Sequence, residues 1–589
     1  MSSPVAADLL PSDLPDSAEL IAEGRELGRR LRPAVTRYEA RHGVISERHY
    51  KERCREDGTI TYYINLGLKS WPETRDSLGE VWEECQRRDL RVDRVSLTAD
   101  RRMGLLPAER PGATEETGIM FWTPEDWAGI ATEIEVEGII NDHAVGSPAS
   151  VENACAAIEA GVSYVGNLAQ QPYGYPGWSA KDVEQMASTV KAIAVIAAQK
   201  EAGVVLDSYI DDGYCASFHD CATSLGWCLM HRRVADELIG AAYSPSYGST
   251  FADPLLKAAY GQAMDAINTS RVPPSLVHGD TNSLDPAFSL DRHAATVTSD
   301  ILFTIANELA HPTGAAVHAT PTTEPIRIPT VEDIVQSLEL GNEAERQARR
   351  ALPLIDWTPV HEVRDRIIAG GRQVYANMLA GLTGMGVDVD DPLQILIATR
   401  RLGAERIEEL WGAGPADDEY PRGRTPVVAS NTLSRATERR QAVLAQILAE
   451  QGEVELGGIR VVTASSDIHE YGLDIVVSVL RRFGAEVIDL GTSVDNDLLA
   501  AAAAETAADA VGLSTYNGSA LSVTEDLMAR LRERGLRAEV FIGGRLTQDL
   551  GAVKSVDVSD RIESVGAHPC ASVSEMLTVL GALRRTPGE

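Results

Sequence analysis

The sequence predicts an α/β chain in which a (β/α)8 TIM barrel is followed by a flavodoxin-like, Rossmann-like sheet domain. Three observations predict it. From about residue 56 short apolar runs alternate with longer helical segments, and eight such runs occur before residue 330. A stretch rich in Gly, Pro and acidic residues, Gly412–Glu419, then interrupts the pattern. A second alternation starts at the β-branched run Ile459–Thr463 and accounts for a doubly wound sheet of five strands. With 589 residues, 44% of them hydrophobic, the chain is long enough for two or more cores.

In chain order, residues 1–55 read as a helical lead-in that packs on a neighbour, with charged helical sequence such as Glu19–Leu27. Residues 56–411 read as the barrel with C-terminal helices. Its strand candidates are Thr59–Gly67, Val92–Ala99, Val136–Asp142, Ser163–Leu168, Val204–Tyr209, Ile239–Tyr243, Ser275–Gly279 and Ala315–Thr320. Helices are expected over Thr330–Arg350 and His361–Leu379. Residues 412–456 read as a linker with the helix Ala436–Glu450, and 457–589 as the sheet domain. There Glu486–Leu490, Ala510–Thr515, Glu539–Ile542 and Ile562–Val565 alternate with Leu498–Thr506, Thr524–Arg532 and Val573–Leu583.

Several of the first eight runs end in polar or aromatic clusters: Asp100-Arg101-Arg102, Asn141-Asp142-His143, Asp211-Asp212 and His278–Asn282 among them. In a parallel barrel the C-terminal strand ends share one mouth, so these distant residues are candidates for a common site. The second alternation carries a denser signal, Ser465-Ser466-Asp467-Ile468-His469-Glu470-Tyr471-Gly472, in the turn from its first strand into its helix. An Asp two residues before a His can accept the second imidazole N–H, which fixes the tautomer and makes the other nitrogen the better metal ligand. Gly472 lets a bulky group lie against the backbone.

Asp467-x-His469-x-x-Gly472, followed by Ser514-Thr515 at the end of one strand and Gly543-Gly544 at the end of the next, resembles the signature of cobalamin-binding domains. The resemblance implies a cofactor whose cobalt is held from below by His469. Asp467 would orient that histidine, with Gly472, Ser514, Thr515, Gly543 and Gly544 around the nucleotide tail. Upstream, Thr320-Pro321-Thr322-Thr323-Glu324-Pro325-Ile326-Arg327-Ile328-Pro329-Thr330 is similar to a segment of the barrel subunit of glutamate mutase. Together the two resemblances imply an adenosylcobalamin-dependent radical mutase, an isomerase with barrel and cobalamin domain fused in one chain. Glu324 would contact the adenosyl ribose, and Asp100, Arg101 and Asp280 would line the substrate site. Two of the three arginines that hold glutamate in that family have no counterpart, since Ile64-Asn65 and Ala144 stand in their places. The implied substrate is therefore a small polar molecule other than glutamate. The acidic mouth, with Asp142, Asp207, Asp211, Asp212 and Asp280, suits an amine or a polyhydroxylated molecule better.

Two alternatives share the cofactor. A corrinoid-dependent methyltransferase also joins a barrel to such a domain but carries a helical cap, for which Ala436–Glu450 is short. A non-catalytic cobalamin sensor would pair the domain with an effector, often a basic DNA-binding module. An additional pyridoxal phosphate would need a Schiff-base lysine, and Lys554 is the one lysine after residue 457. A formal charge of −33 argues against nucleic acid and anionic membrane as partners. Seven scattered Cys with no Cys-x-x-Cys pair read as reduced core thiols of a cytoplasmic protein. The resemblance implies a homodimer through the barrel.

Overall fold

A computed structural model describes residues 9–113, 115–116, 118–178, 180–284, 288–420, 422–467, 471–516, 518–550 and 553–583. The chain forms two compact units. One comprises Met1–Pro107, Gly118–Pro172 and Asp182–Thr432, the other Ala108–Thr117, Tyr173–Lys181 and Leu433–Glu589.

Among its described residues the first unit contains eight short strands: β1 (Thr61–Asn65), β2 (Arg94–Ser96), β3 (Glu137–Ile139), β4 (Tyr164–Val165), β5 (Val205–Tyr209), β6 (Tyr243–Ser246), β7 (Leu276–Val277) and β8 (Ala316–His318). All pairing among them is parallel. The order β3-β2-β1-β8-β7 forms one sheet and β4-β5-β6 another. Single parallel bridges, Ile140 with Val165 and Tyr247 with Val277, connect the two. Almost every strand residue is buried, as expected of parallel strands covered by helices on one side and side chains on the other.

The sixth strand corrects the expectation of Ile239–Tyr243. That run is apolar and buried, but Gly240 has φ +88° and Ala241 donates back to the carbonyl of Ala235, so it closes the preceding helix. The strand proper is Tyr243–Ser246, in register with Leu206–Tyr209, and its polar Ser244 and Ser246 hid it in the sequence.

Helices occupy the long intervals, and their ends follow the local chemistry. Val331–Ala351 begins in a capping box between Thr330 and Asp333, with Arg327 paired to Asp333 at 2.8 Å. The lead-in helix Ser17–Arg30 lies on Asp182–Ala197 through two glycines. A Cβ on Gly24 would stand 2.4 Å from the Lys191 carbonyl oxygen and one on Gly28 2.5 Å from that of Val195, so only glycine permits this approach. The stretch expected as a linker is folded instead. Asp417 N–H donates to the Gly423 carbonyl, Thr425 N–H to that of Pro415 and Ser430 N–H to that of His219. The carboxylate of Asp220 accepts the Val427 and Val428 amides.

Beneath the N-terminal strand ends lies a buried ionic cluster. Arg94 on β2 is fully enclosed and pairs with Glu47 at 3.1 Å, while it also donates to Ser275. Lys51, one turn after Glu47, donates to the carbonyls of Pro274 and Ser275. Burial, reinforced by Arg94, lowers its ammonium to about 7.

The second unit holds the parallel sheet β10-β9-β11-β12-β15, formed by β9 (Arg460–Ser465), β10 (Glu486–Asp489), β11 (Ala510–Thr515), β12 (Glu539–Gly544) and β15 (His568–Cys570). This is the flavodoxin-like order, with helices Tyr471–Arg482, Asn496–Glu505, Ala520–Glu533 and Val573–Leu583 between and after the strands. Ile562–Val565, expected as a strand, falls in and just after the helix Ser559–Ser564, which turns at Gly566 (φ +94°) into β15. An antiparallel hairpin of β13 (Thr547–Leu550) and β14 (Val553–Asp557) follows β12; the sequence reading did not include it. Asn431–Gln451 is a helix of 21 residues, longer than expected.

Among the described residues no helix is long and apolar enough to cross a membrane. The seven cysteines form no disulfide, and five of them are buried.

Arg94→Met should destabilise the first unit by about 3–5 kcal/mol, because Glu47 is then left enclosed and unpaired. Denaturant unfolding of the full chain followed by tryptophan fluorescence measures it, and a shift below 1 kcal/mol would show that the pair is dispensable.

Candidate functional site

In the second unit the strand order reverses between β9 and β11, and the polar residues of the motif gather there. Ser466 N–H donates to the Ser514 carbonyl at 2.9 Å, and the hydroxyls of Ser465 and Ser466 reach the same oxygen at 3.4 and 3.3 Å. Asp467 is 2% exposed; its carboxylate accepts the Tyr516 N–H at 2.5 Å and its carbonyl the Ser493 N–H at 2.9 Å. The aspartate expected to orient a histidine thus also ties the ends of β9 and β11 together. His469 lies outside the described residues.

The glycines stand where the carrier of a bulky group needs them. Among the described residues, a Cβ on Gly472 would meet only Ser514 Oγ, at 3.5 Å, and one on Gly543 only the Cys570 carbonyl oxygen, at 3.9 Å. Gly544 is different: at φ +97° a Cβ would stand 2.2 Å from the Thr515 carbonyl oxygen. Thr515 Oγ1 is enclosed and has no hydrogen-bond partner among the described residues. An orphaned hydroxyl at the strand end beside open glycine edges fits a nucleotide tail carrying hydrogen-bonding groups. The residues present therefore fit the cofactor that the motif implies.

In the first unit the residues expected around a substrate have separate duties. Asp100 is fully buried and grips the Arg102 guanidinium with both oxygens, at 3.0 and 2.8 Å, while accepting the Arg102 amide. It caps the short turn Arg101–Gly104, so as a substrate ligand it is already engaged. Arg101 acts on His143, whose imidazole is held down to about 3 by burial and then by this cation. Asp280 accepts the amide and hydroxyl of Ser283 and orders its own turn. Glu324 is half-buried in the turn after β8, its amide donating to the Pro321 carbonyl at 3.1 Å. It does not cap the following helix, which Thr330 and Asp333 do.

The ends of β1, β3, β4, β5, β7 and β8 bring together polar side chains that include Asp142, Asp212 and His278 of the expected mouth. Asn65 Nδ2 faces Nε2 of His278 at 3.0 Å and of His318 at 3.4 Å. Burial lowers His278 to about 4 and His318 well below the usual imidazole value, so both rings are neutral near pH 7. Beside them, Asp142 and Asp212 accept from one amide, Gln170 Nε2, at 3.0 Å each, and Asn167 Nδ2 also donates to Asp212 at 2.8 Å. Sequence reasoning passed over Asn65, Asn167 and Gln170 as site residues. The available signal was a polar side chain directly after an apolar strand. Among the described residues no group of three or more His, Cys, Asp or Glu could hold a metal ion.

A model of the B12 binding domain family matches residues 457–560. A corrinoid protein of Desulfitobacterium hafniense (strain Y51) is 26% identical over 196 residues, covering 32% of this chain and 85% of that protein. The dimethylamine corrinoid protein 3 of Methanosarcina acetivorans is 36% identical over 94 residues, 16% of this chain and 44% of that protein. The solved monomethylamine corrinoid protein of Methanosarcina barkeri is 18% identical, with a TM-score of 0.20, over 41% of this chain and 92% of that one, too weak a likeness to argue from. The second unit thus carries a B12-binding, Rossmann-like domain, and a cobalamin is the cofactor that the match and the residues support.

Gly544→Ala should weaken cobalamin uptake and destabilise the second unit by roughly 1–3 kcal/mol, the usual cost of forcing a side chain into a disfavoured backbone region. Calorimetric unfolding and titration with hydroxocobalamin measure the two effects. His278 should stay neutral on titration from pH 8 to pH 5, since its proton is taken up only near 4, and histidine-selective NMR reads this directly.

Proposed function

We propose that the chain is a cobalamin-dependent enzyme in which the first unit, read as a (β/α)8 barrel closed by its two single bridges, holds a small polar substrate at its C-terminal strand ends. The second unit holds the corrinoid at the β9/β11 switch, through Asp467, Ser514, Thr515 and the three glycines, with His469 as cobalt ligand. A bound corrinoid supplies reversible cobalt–carbon chemistry; the protein's share is binding, orientation and exclusion of water.

The reading favoured for the reaction is methyl transfer. It is carried by the kinship of the second unit with corrinoid proteins, several of them named for methylamines. The alignment with the Desulfitobacterium protein is also longer than the B12-binding match itself. A second reading, the adenosylcobalamin-dependent isomerase, draws on Glu324. The following helix is capped by Thr330 and Asp333, and in this reading Glu324 is the residue that would contact an adenosyl ribose. A homodimer through the barrel remains part of the proposal.

The cofactor form separates the two. With the corrinoid reduced, methyl transfer should appear as stoichiometric growth of the methylcobalamin absorption spectrum on addition of a methylated substrate, with no organic radical. An isomerase would instead give substrate-dependent EPR signals with adenosylcobalamin, slowed by an order of magnitude or more in Glu324→Gln, in line with loss of a charge-assisted bond of roughly 1.5–3 kcal/mol. Methylation with no radical sustains the first reading; radical formation with no methylation overturns it.

A further inference from the structure

Among the described residues no cation acts on the carboxylates of Asp142 and Asp212. Both accept from Gln170 Nε2, so the accepting oxygens lie no more than about 6 Å apart. The donors around them are neutral amides, from Gln170, Asn167 and the Ala99 backbone. Asp212 Oδ1 accepts from no described residue, since both of its bonds end on Oδ2. Burial raises the Asp142 carboxyl to about 6, and Asp212 is pushed up by burial and then by the charge of Asp142. Both residues are of intermediate exposure.

A second, independent observation points the same way. Two further acceptors are more than nine-tenths buried and have no donor among the described residues: Asn141 Oδ1 and Asp211 Oδ1. The first lies 3.5 Å from where a Cβ on Gly166 would stand, next to the Asn167 that serves Asp212. The second belongs to a carboxylate whose other oxygen is saturated by the amides of Gly248 and Thr250 and the hydroxyl of Ser249. Lys257, the cation that acts on Asp211, is itself held 2.7 Å from Asp300. Asp211 lies near enough to Asp212 for its charge to push that carboxyl up. Burying such groups is costly unless a donor arrives.

We infer that Asp142 and Asp212 form an ammonium subsite, and that the substrate of this chain is a small molecule carrying a protonated amine. A primary or secondary ammonium brings one positive charge and at least two N–H donors, which is what the pair and its orphaned neighbours lack. A diol brings donors without the charge. A dicarboxylate would add negative charge and is excluded. The inference deepens the proposed function by naming its substrate class, and it rests on that reading only for the word substrate.

The test uses the full chain, with and without hydroxocobalamin, titrated calorimetrically with dimethylamine, 2-aminoethanol and 1,4-diaminobutane, and with ethylene glycol and 1,4-butanediol as uncharged counterparts. At least one amine should bind at least tenfold more tightly than either diol, in both forms of the protein. Asp212→Asn and Asp142→Asn should each lower that affinity tenfold or more. Equal binding of amines and diols by the wild-type chain would overturn the inference, and so would a folded Asp142→Asn/Asp212→Asn double variant that keeps its amine affinity. Amine binding without methyl transfer would sink only the reaction proposed above; corrinoid uptake without amine binding would sink only the subsite.

Discussion

Parallel pairing is the constraint on which both units depend. Parallel strands all run in one direction, so every C-terminal end lies on the same side and every connection must return over the outside. The strands of the first unit and the central strands β9 and β11 of the second are largely buried. In the first unit this collects Asn65, Asp142, Asn167, Asp212, His278 and His318 from six separate stretches of chain. In the second it collects Asp467, Ser514, Thr515 and Gly543 from three. The cyclic pairing β1 through β8 and back holds only if each short strand keeps its partner, and two of those links are single bridges.

The sequence was most legible where the backbone has the fewest options. β9, β11 and β12 were marked by uninterrupted β-branched and apolar runs, and Gly543-Gly544 by the space that a glycine leaves. The strand β6 was not, because Ser244 and Ser246 point into a polar interior that no periodicity rule anticipates, while the apolar Ile239–Ala242 serves the end of a helix. The stretch after Gly412 has a composition that reads as linker, yet Asp220, 207 and 208 residues earlier, captures the amides of Val427 and Val428. Such tertiary hydrogen bonds override local propensity and cannot be read from the segment alone.

The site shows the same division. Asp467 was found from its spacing to a histidine, but its bond to the Tyr516 amide depends on the neighbouring strand. Asp100 and Asp280 looked like site carboxylates because they follow strands. Each proved to be satisfied locally, by Arg102 and by Ser283. Asp142 and Asp212 were legible as members of an acidic mouth, but that they share one donor, Gln170 Nε2, shows only in three dimensions.

The ionic cluster under the first unit also sets the order in which the chain can mature. Lys51 reaches the carbonyls of Pro274 and Ser275 across 223 and 224 residues of sequence. Until those residues have been synthesised, Lys51, Glu47 and Arg94 have no complete set of partners, and β1 lacks its neighbour β8. Contacts of this span make folding slow and leave unpaired strand edges exposed on the growing chain. The nascent first unit is therefore a natural client for chaperones, and its yield in a heterologous host should depend more on the rate of translation and on folding assistance than on the stability of the finished protein.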